Sequence, residues 1–560
     1  MVCSGHYLAT AAGYRILEQG GNAVDAGIAA GITINVVQPE DTNFGGVAPI
    51  MIYLAESNSV LTISGVGRWP KAASVEYFQR HCEGLIPPGI SRAVVPSAPD
   101  AWLTALERYG TLRLEDVIAP ALELAEEGYP ITAVAQIDIA QDVEASELWP
   151  SNLEIFAPNG KVAAVGGLVV QKDLANTFRR LIAAEKASSD LGRELAIRAA
   201  RDCVYKGEIA EEIVDYFHQQ GGLLTIEDLA AFSVGIEPPI KGQFREYEIY
   251  SCGPWSQGPV VPQTLQLLSQ DDFGSLHHNS ADYIHLVSQA LNLCFADREH
   301  FFGDPEFVDV PIDMLLSDDY TQARRQLINM EHAFSDMAPH GKLNVRPSAH
   351  SIPRYPTSGN HSKVERDTSY TCAVDRWGNA FSATPSDSNT RNPMIPGLGF
   401  SVSGRGSQSW LDPHHPSRVE PWKRPRLTPN PALAFYLGKP FLVFGCPGGD
   451  AQCQAMTQCF LNIVEFGMDP QEAVEQPRFT SWNFPNSFWP HDHLPGRLRI
   501  ERGIPSKVVE ELANRGHDVE VIEDWDPMDM GVMSAIVIDP QSGVLSAGAD
   551  PRRDTYAIGR

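Results

Sequence analysis

The feature that most constrains this chain is a break in its texture. Residues 333–366 (AFSDMAPHGKLNVRPSAHSIPRYPTSGNHSKVER) hold four prolines, five serines and few large apolar side chains. Such a stretch cannot bury enough apolar surface to order itself cheaply, so it reads as a mobile loop. Helical patterns dominate before it, from about Pro99 to Leu229. After it the pattern is β-rich, with short alternating segments separated by turn residues. No period of 20–50 residues repeats, which speaks against solenoids and propellers.

Charge and cysteine usage narrow the partners. The chain has 560 residues, with 43 Lys+Arg against 70 Asp+Glu, a net charge of −27. A surface this acidic repels nucleic acid and anionic lipid. Nine cysteines are scattered without a CxxC pair, so neither a zinc ribbon nor a thioredoxin motif is supported. No run of about 18 apolar residues exists, so no membrane span is expected. The first residues (MVCSGHYLATAAG) carry neither the basic nor the apolar segment of a signal peptide. These observations lead to the expectation of a soluble, cytoplasmic protein.

Local patterns place the elements. Tyr7–Glu18 reads as a helix stopped by Gly20-Gly21, and Asn22 caps a second helix with a small apolar face. Pro49–Leu54 and Val60–Ser64 read as strands, and Tyr283–Phe301 as a long amphipathic helix. Beyond the loop, Thr368–Asp375 and Ala380–Thr384 alternate around the turn Arg376-Trp377-Gly378-Asn379, the pattern of a β-hairpin. Positions 368 and 386 are symmetric about 377, so Ser386 or its neighbour should face Thr368. Further on, Gly445-Cys446-Pro447-Gly448-Gly449-Asp450 follows a strand and precedes a helix. Paired glycines there can turn two backbone N–H groups toward one point, as an oxyanion hole requires.

These pieces fit an N-terminal nucleophile hydrolase. Cutting the Asp367–Thr368 bond would give Thr368 a free α-amine with a solution pKa near 8. That amine can accept the proton of its own hydroxyl, so one residue supplies nucleophile and base. From the residues alone, a second reading stays open, in which Thr368 merely begins an edge strand.

Four ordered segments carry a resemblance to the γ-glutamyltransferase (γ-glutamyltranspeptidase) family. They are GGNAVDAGIAAGITINVVQPEDTNFGG (20–46), DTSYTCAVDRWGNAFSAT (367–384), KRPRLTPNPAL (423–433) and FGCPGGDAQCQ (444–454). The resemblance implies an α+β fold, the four-layer αββα sandwich of N-terminal nucleophile hydrolases. It implies self-cleavage between Asp367 and Thr368 into a large subunit (1–367) and a small subunit (368–560) that stay associated as one composite domain. Thr368 is then the nucleophile, Ser386 its hydroxyl partner, and Gly448 and Gly449 the oxyanion pair. Ser388 and Thr428 fall on substrate-holding positions. No metal or organic cofactor is implied. The implied substrate is a small amide, such as glutathione or another γ-glutamyl compound, whose acyl group passes to water or to an amine acceptor.

Departures from the family pattern bear on the substrate. The family's carboxylate-gripping Arg corresponds to Val66, and the nearest Arg is Arg68, which can substitute only with a shifted geometry. An ammonium-holding Asp is replaced within SGRGSQSWLD (403–412) by Ser407 or Gln408. Arg405 and Arg426 are the other candidates for a carboxylate partner, and a non-glutamyl amide is the alternative substrate class. A non-processing, ligand-binding relative is the third reading. The His pairs at 277–278 and 414–415, the HDH at 491–493 and Cys446 have no partners in telling positions and read as structural. The aromatic run FTSWNFPNSFW (479–489) reads as a packed loop, with a wall over the active site as the alternative.

Overall fold

A computed structural model describes residues 1–144, 149–343 and 367–560. Two antiparallel sheets form its centre. The first has seven strands in the order Tyr556–Ile558, Val2–Ser4, Thr371–Val374, Ala380–Ala383, Ile50–Leu54, Ser59–Ile63 and Ile236–Glu237. The second has six, in the order Leu545–Ala549, Ser534–Ile538, Lys439–Gly445, Ala432–Tyr436, Tyr247–Ser251 and Ile240–Phe244.

Alternation along the strands explains why the sheets stack. Cys372, Val374 and Ala380 point from the first sheet into a shared core with Leu433, Phe435 and Val443 of the second. Their neighbours Ala373, Phe381 and Ala383 point the other way, into a helical layer. Ala432, Ala434, Leu442 and Phe444 likewise face helices on the far side of the second sheet. The result is the αββα sandwich, each layer following from the period-2 pattern.

Helix Ala23–Val37 lies on the first sheet with every residue buried. The Asn22 side chain accepts from the amides of Val24 and Asp25, and Asp25 returns a bond to the Asn22 amide. Gly27 is required by the close approach, since a Cβ there would lie 2.0 Å from the Phe381 ring. On the opposite side, helices Val260–Leu268, Ala281–Phe301 and Ala451–Val464 cover the second sheet.

Two expectations need correction. The long helix, Ala281–Phe301, is not amphipathic, because only Asp282 and His300 escape burial. Its apolar side chains belong to one large buried cluster that also holds Leu315, Ile328 and Leu498. Its charged residues are therefore paired inside the core, Arg298 with Asp450 and Glu299, and Asp297 with Gln263 and Tyr320. The strand expected from Thr368 begins only at Thr371, leaving Thr368 and Ser386 as an isolated bridge. Pro385 has no N–H to continue the ladder between them.

Strands from both sides of residue 367 pair with one another in each sheet, so 1–367 and 368–560 share one core. Most of the loop expected to be mobile, 344–366, lies outside the described residues. Residues 333–343 are irregular and hydrogen-bonded to the body, with the Phe334 amide on Gln289 and the Gly341 amide on Asp297. Among the described residues, no helix is long and apolar enough to cross a membrane.

Candidate active site

The hairpin sets the first distances. Its register pairs Val374 with Ala380 and Thr371 with Ala383, and the same register carried on brings Thr368 opposite Ser386. The turn holds that register because Asp375 accepts from the amides of Trp377 and Asn379, with Gly378 at φ 85°. Thr368 Oγ1 lies 2.7 Å from Ser386 Oγ. Both residues are buried, Thr368 at 2 % exposure.

Asp367 is gripped at three points. Arg405 Nη2 donates to its carbonyl oxygen and to its Oδ1, each at 2.6 Å. The Ser388 amide donates to Oδ2 at 2.7 Å. Ser386 Oγ donates to the same carbonyl oxygen and accepts from Arg405 Nη2. The Asp387 amide adds a longer bond to that oxygen, 3.2 Å. Arg405 is 1 % exposed, and the ring of Phe488 lies 5.2 Å from its guanidinium carbon.

Asp387 is a site residue that sequence reasoning missed. Its φ of 93° is a region that non-glycine residues rarely adopt. The Asn43 side chain holds its carbonyl, and Ser403, Gly404 and Asn392 hold its carboxylate. Burial pushes that carboxyl up to about 6, and the nearby Arg405 opposes the rise. A small cavity behind Thr368, about 10 Å³, is lined by Gln38, Asp41, Ser369, Pro447 and Arg553. Burial lifts Asp41 to about 7, against the pull of its ion-pair partner Arg553.

The glycine turn follows strand Lys439–Gly445 and precedes helix Ala451–Val464. Gly448 and Gly449 have φ of 124° and 57°, so both positions require the freedom of glycine. Gln257 Nε2 donates to the carbonyls of Gly449 and Thr428, and Asp450 anchors the turn through Arg298 and Ser487. Phe488 lies against Gly449 as well as Arg405, linking the turn to the Thr368 neighbourhood.

The remaining sequence candidates divide. The Ser388 hydroxyl closes on Thr390 and Pro39, and its amide rather than its hydroxyl meets Asp367. Thr428 is bonded to Gln408 at 2.9 Å. Arg68 turns to Glu306, Asp304 and the Trp422 carbonyl, with no bond to Thr368, Ser386 or Asp367. Val66 sits among Val47, Cys252, Trp255 and Leu427. Arg426 is ion-paired with Glu299 beneath the site. Burial pushes the Cys446 thiol up, away from nucleophile chemistry. Among the described residues, no cluster of three His, Cys, Asp or Glu could hold a metal.

This layout matches known proteins along nearly its whole length. A family model described as Gamma-glutamyltranspeptidase matches residues 9–560. The chain belongs to the gamma-glutamyltranspeptidase family. It is 33 % identical to a glutathione hydrolase-like proenzyme, YwrD, of Bacillus subtilis, over all of this chain and 98 % of that one. It is 31 % identical to the Acylase ACY 1 proenzyme of Pseudomonas sp. (strain SE83), over 99 % of this chain and 92 % of that one. The solved cephalosporin acylase from Bacillus halodurans superposes with a TM-score of 0.84 at 28 % identity, covering 100 % of this chain and 96 % of its own. Membership of the family and these relatives make the chain an enzyme of the amidohydrolase and acyltransferase kind.

Proposed function

We propose that the chain cuts itself between Asp367 and Thr368 and then works as an N-terminal-threonine amidase on a small amide whose acyl part bears a carboxylate. The observation that carries this reading is the Thr368 hydroxyl, 2.7 Å from Ser386 and adjoining a gripped Asp367 carbonyl. Once free, the Thr368 amine takes the proton of Oγ1 as that oxygen attacks the substrate carbonyl carbon. The Gly448 and Gly449 amides receive the oxyanion. Collapse expels the leaving amine, which takes the proton from the Thr368 ammonium and leaves an ester on Oγ1. Water or an acceptor amine then attacks that ester, giving hydrolysis or transfer.

Release of Asp367 takes two acceptor atoms away from Arg405. A substrate carboxylate has the charge and the planar shape to take the place of those two acceptors on the guanidinium fork. Asp387 Oδ2, 4.0 Å from Arg405 Nε, places an anion next to that cation. The pair suits an amino-acid head, with γ-glutamyl compounds such as glutathione as the first candidates. A second reading, a non-glutamyl acyl group, is favoured by the withdrawal of Arg68 to Glu306.

Denaturing gels and a substrate panel test both parts. The parent chain should give two bands, about two thirds and one third of the length, and Thr368→Ala one. γ-Glutamyl-p-nitroanilide should turn over faster than glutaryl-p-nitroanilide, which lacks the ammonium. The reverse order would select the non-glutamyl reading, and equal turnover of neutral acetyl-p-nitroanilide would remove the carboxylate requirement.

A further inference from the structure

We infer that Arg405 is a catalytic residue of the self-scission itself, supplying positive charge to the scissile carbonyl oxygen; this rests on the reading of Thr368 as the nucleophile of that cut. Three donors converge on the Asp367 oxygen: Arg405 Nη2 at 2.6 Å, the Ser386 hydroxyl, and the Asp387 amide at 3.2 Å. An amide oxygen has two lone pairs for hydrogen bonds, whereas the alkoxide of a tetrahedral adduct has three. The cradle therefore fits the adduct better than the peptide. Its one cation is buried and covered by Phe488, where low dielectric strengthens it. No glycine amide is among the donors to this oxygen within the described residues. Self-scission thus draws on a donor set distinct from the glycine pair assigned to the substrate oxyanion.

The chemistry balances on the residues present. Thr368 Oγ1 forms a bond to the Asp367 carbonyl carbon, and the C=O π pair moves onto the oxygen facing Arg405. The Thr368 proton passes to Ser386 Oγ across 2.7 Å, and Ser386 passes its own proton to the Asp367 oxygen it already bonds. The five-membered ring adduct is then neutral. Breaking its C–N bond restores the carbonyl, and the proton moves to nitrogen, leaving an ester and a free amine. Water hydrolyses the ester to the Asp367 acid and the Thr368 hydroxyl. Arg405 acts on the charge that builds before the Ser386 proton arrives.

The test follows scission of full-length chains from cell-free translation on denaturing gels, with purified Thr368→Ala as the folded, uncut reference. Arg405→Met should cut about 100-fold more slowly than the parent, the scale of losing one oxyanion donor, and should melt within a few degrees of Thr368→Ala. Guanidinium chloride added to Arg405→Ala should restore cutting at least tenfold, which equal NaCl should not do. A slowing of less than tenfold in Arg405→Met, or a folded Arg405→Ala that guanidinium leaves uncut, would overturn the inference. Should Arg405→Met fail to fold, Arg405→Lys carries the test: slowing of tenfold or more supports it, and less opposes it. Scission at the same bond in Thr368→Ala would instead sink the reading of the nucleophile, whatever Arg405 does.

Discussion

Two buried arginine neighbourhoods, linked through Asp450, Ser487 and the adjoining Phe488, are built on opposite principles. Beneath the glycine turn, Arg298 pairs with Asp450 and Glu299, and Arg426 shares Glu299. All four residues belong to the body of the fold, so those ion pairs are permanent. Beside Thr368, Arg405 holds Asp367, the residue at the proposed cut. The first cluster fixes the position of the Gly448–Gly449 turn through Asp450. On the proposed reading, the second is a charge whose partner changes after the cut. On that reading the same chemistry gives a rigid support in one place and a reactive one in the other.

Breaking the permanent cluster should have the largest effect on stability. Arg298→Met leaves Asp450 and Glu299 buried with too little positive charge and should cost about 3–5 kcal/mol. Chemical denaturation of the Thr368→Ala background measures it. A loss below about 1 kcal/mol would mean that the two arginine sites do not differ as described.

A change at the turn between them should act on rate rather than on stability. Gly448 at φ 124° has no room in conformational space for a Cβ. Gly448→Ala should therefore displace an oxyanion amide and lower turnover by about 10²–10³-fold. Its melting point should fall by much less than that of Arg298→Met. Parent-like turnover would remove the glycine pair from the site.

A pH experiment sharpens the picture of the Thr368 side. Asp41 is lifted to about 7, above its unfolded value, so the folded chain holds a proton that the unfolded chain has released. Its contribution to stability is therefore full below the unfolded carboxyl pKa and is lost as pH rises toward 7. Asp41→Asn should lack this loss. The melting-point difference between Asp41→Asn and its parent should then move in favour of the variant from pH 5 to pH 8. A flat difference would contradict the burial effect.

Arg68 should give the smallest response. Its partner Glu306 is more than half exposed, so the pair contributes less than about 1 kcal/mol. Arg68→Met should leave γ-glutamyl-p-nitroanilide turnover within about twofold. A tenfold rise in KM would return the carboxylate grip to Arg68.

The sequence made parts of this legible for physical reasons. Hairpin register is a local property, so the symmetry about Trp377 sufficed to bring Ser386 to Thr368. The capped helix Ala23–Val37 was legible because Asn22 and the small residues act within one turn. The contact of Arg405 with Asp367 spans 38 residues and depends on how the segment after residue 388 folds back. Pattern gave only a candidate carboxylate partner there. Asp387 and Asp41 carried no signal, since their roles come from burial and from backbone conformation, whereas Phe488 lay in an aromatic run whose density was visible but whose place over Arg405 was not. The helix Ala281–Phe301 misled because its polar residues are satisfied inside the core, which periodicity does not register.

The proposed chemistry of Thr368 depends on the liberation of one amine. Intact-mass spectrometry of the purified parent protein tests this directly. It should find a small chain whose mass equals residues 368–560, beginning at Thr368, and should find the uncut mass alone in Thr368→Ala. A parent chain that stays whole, or a fragment beginning at any other residue, would contradict it.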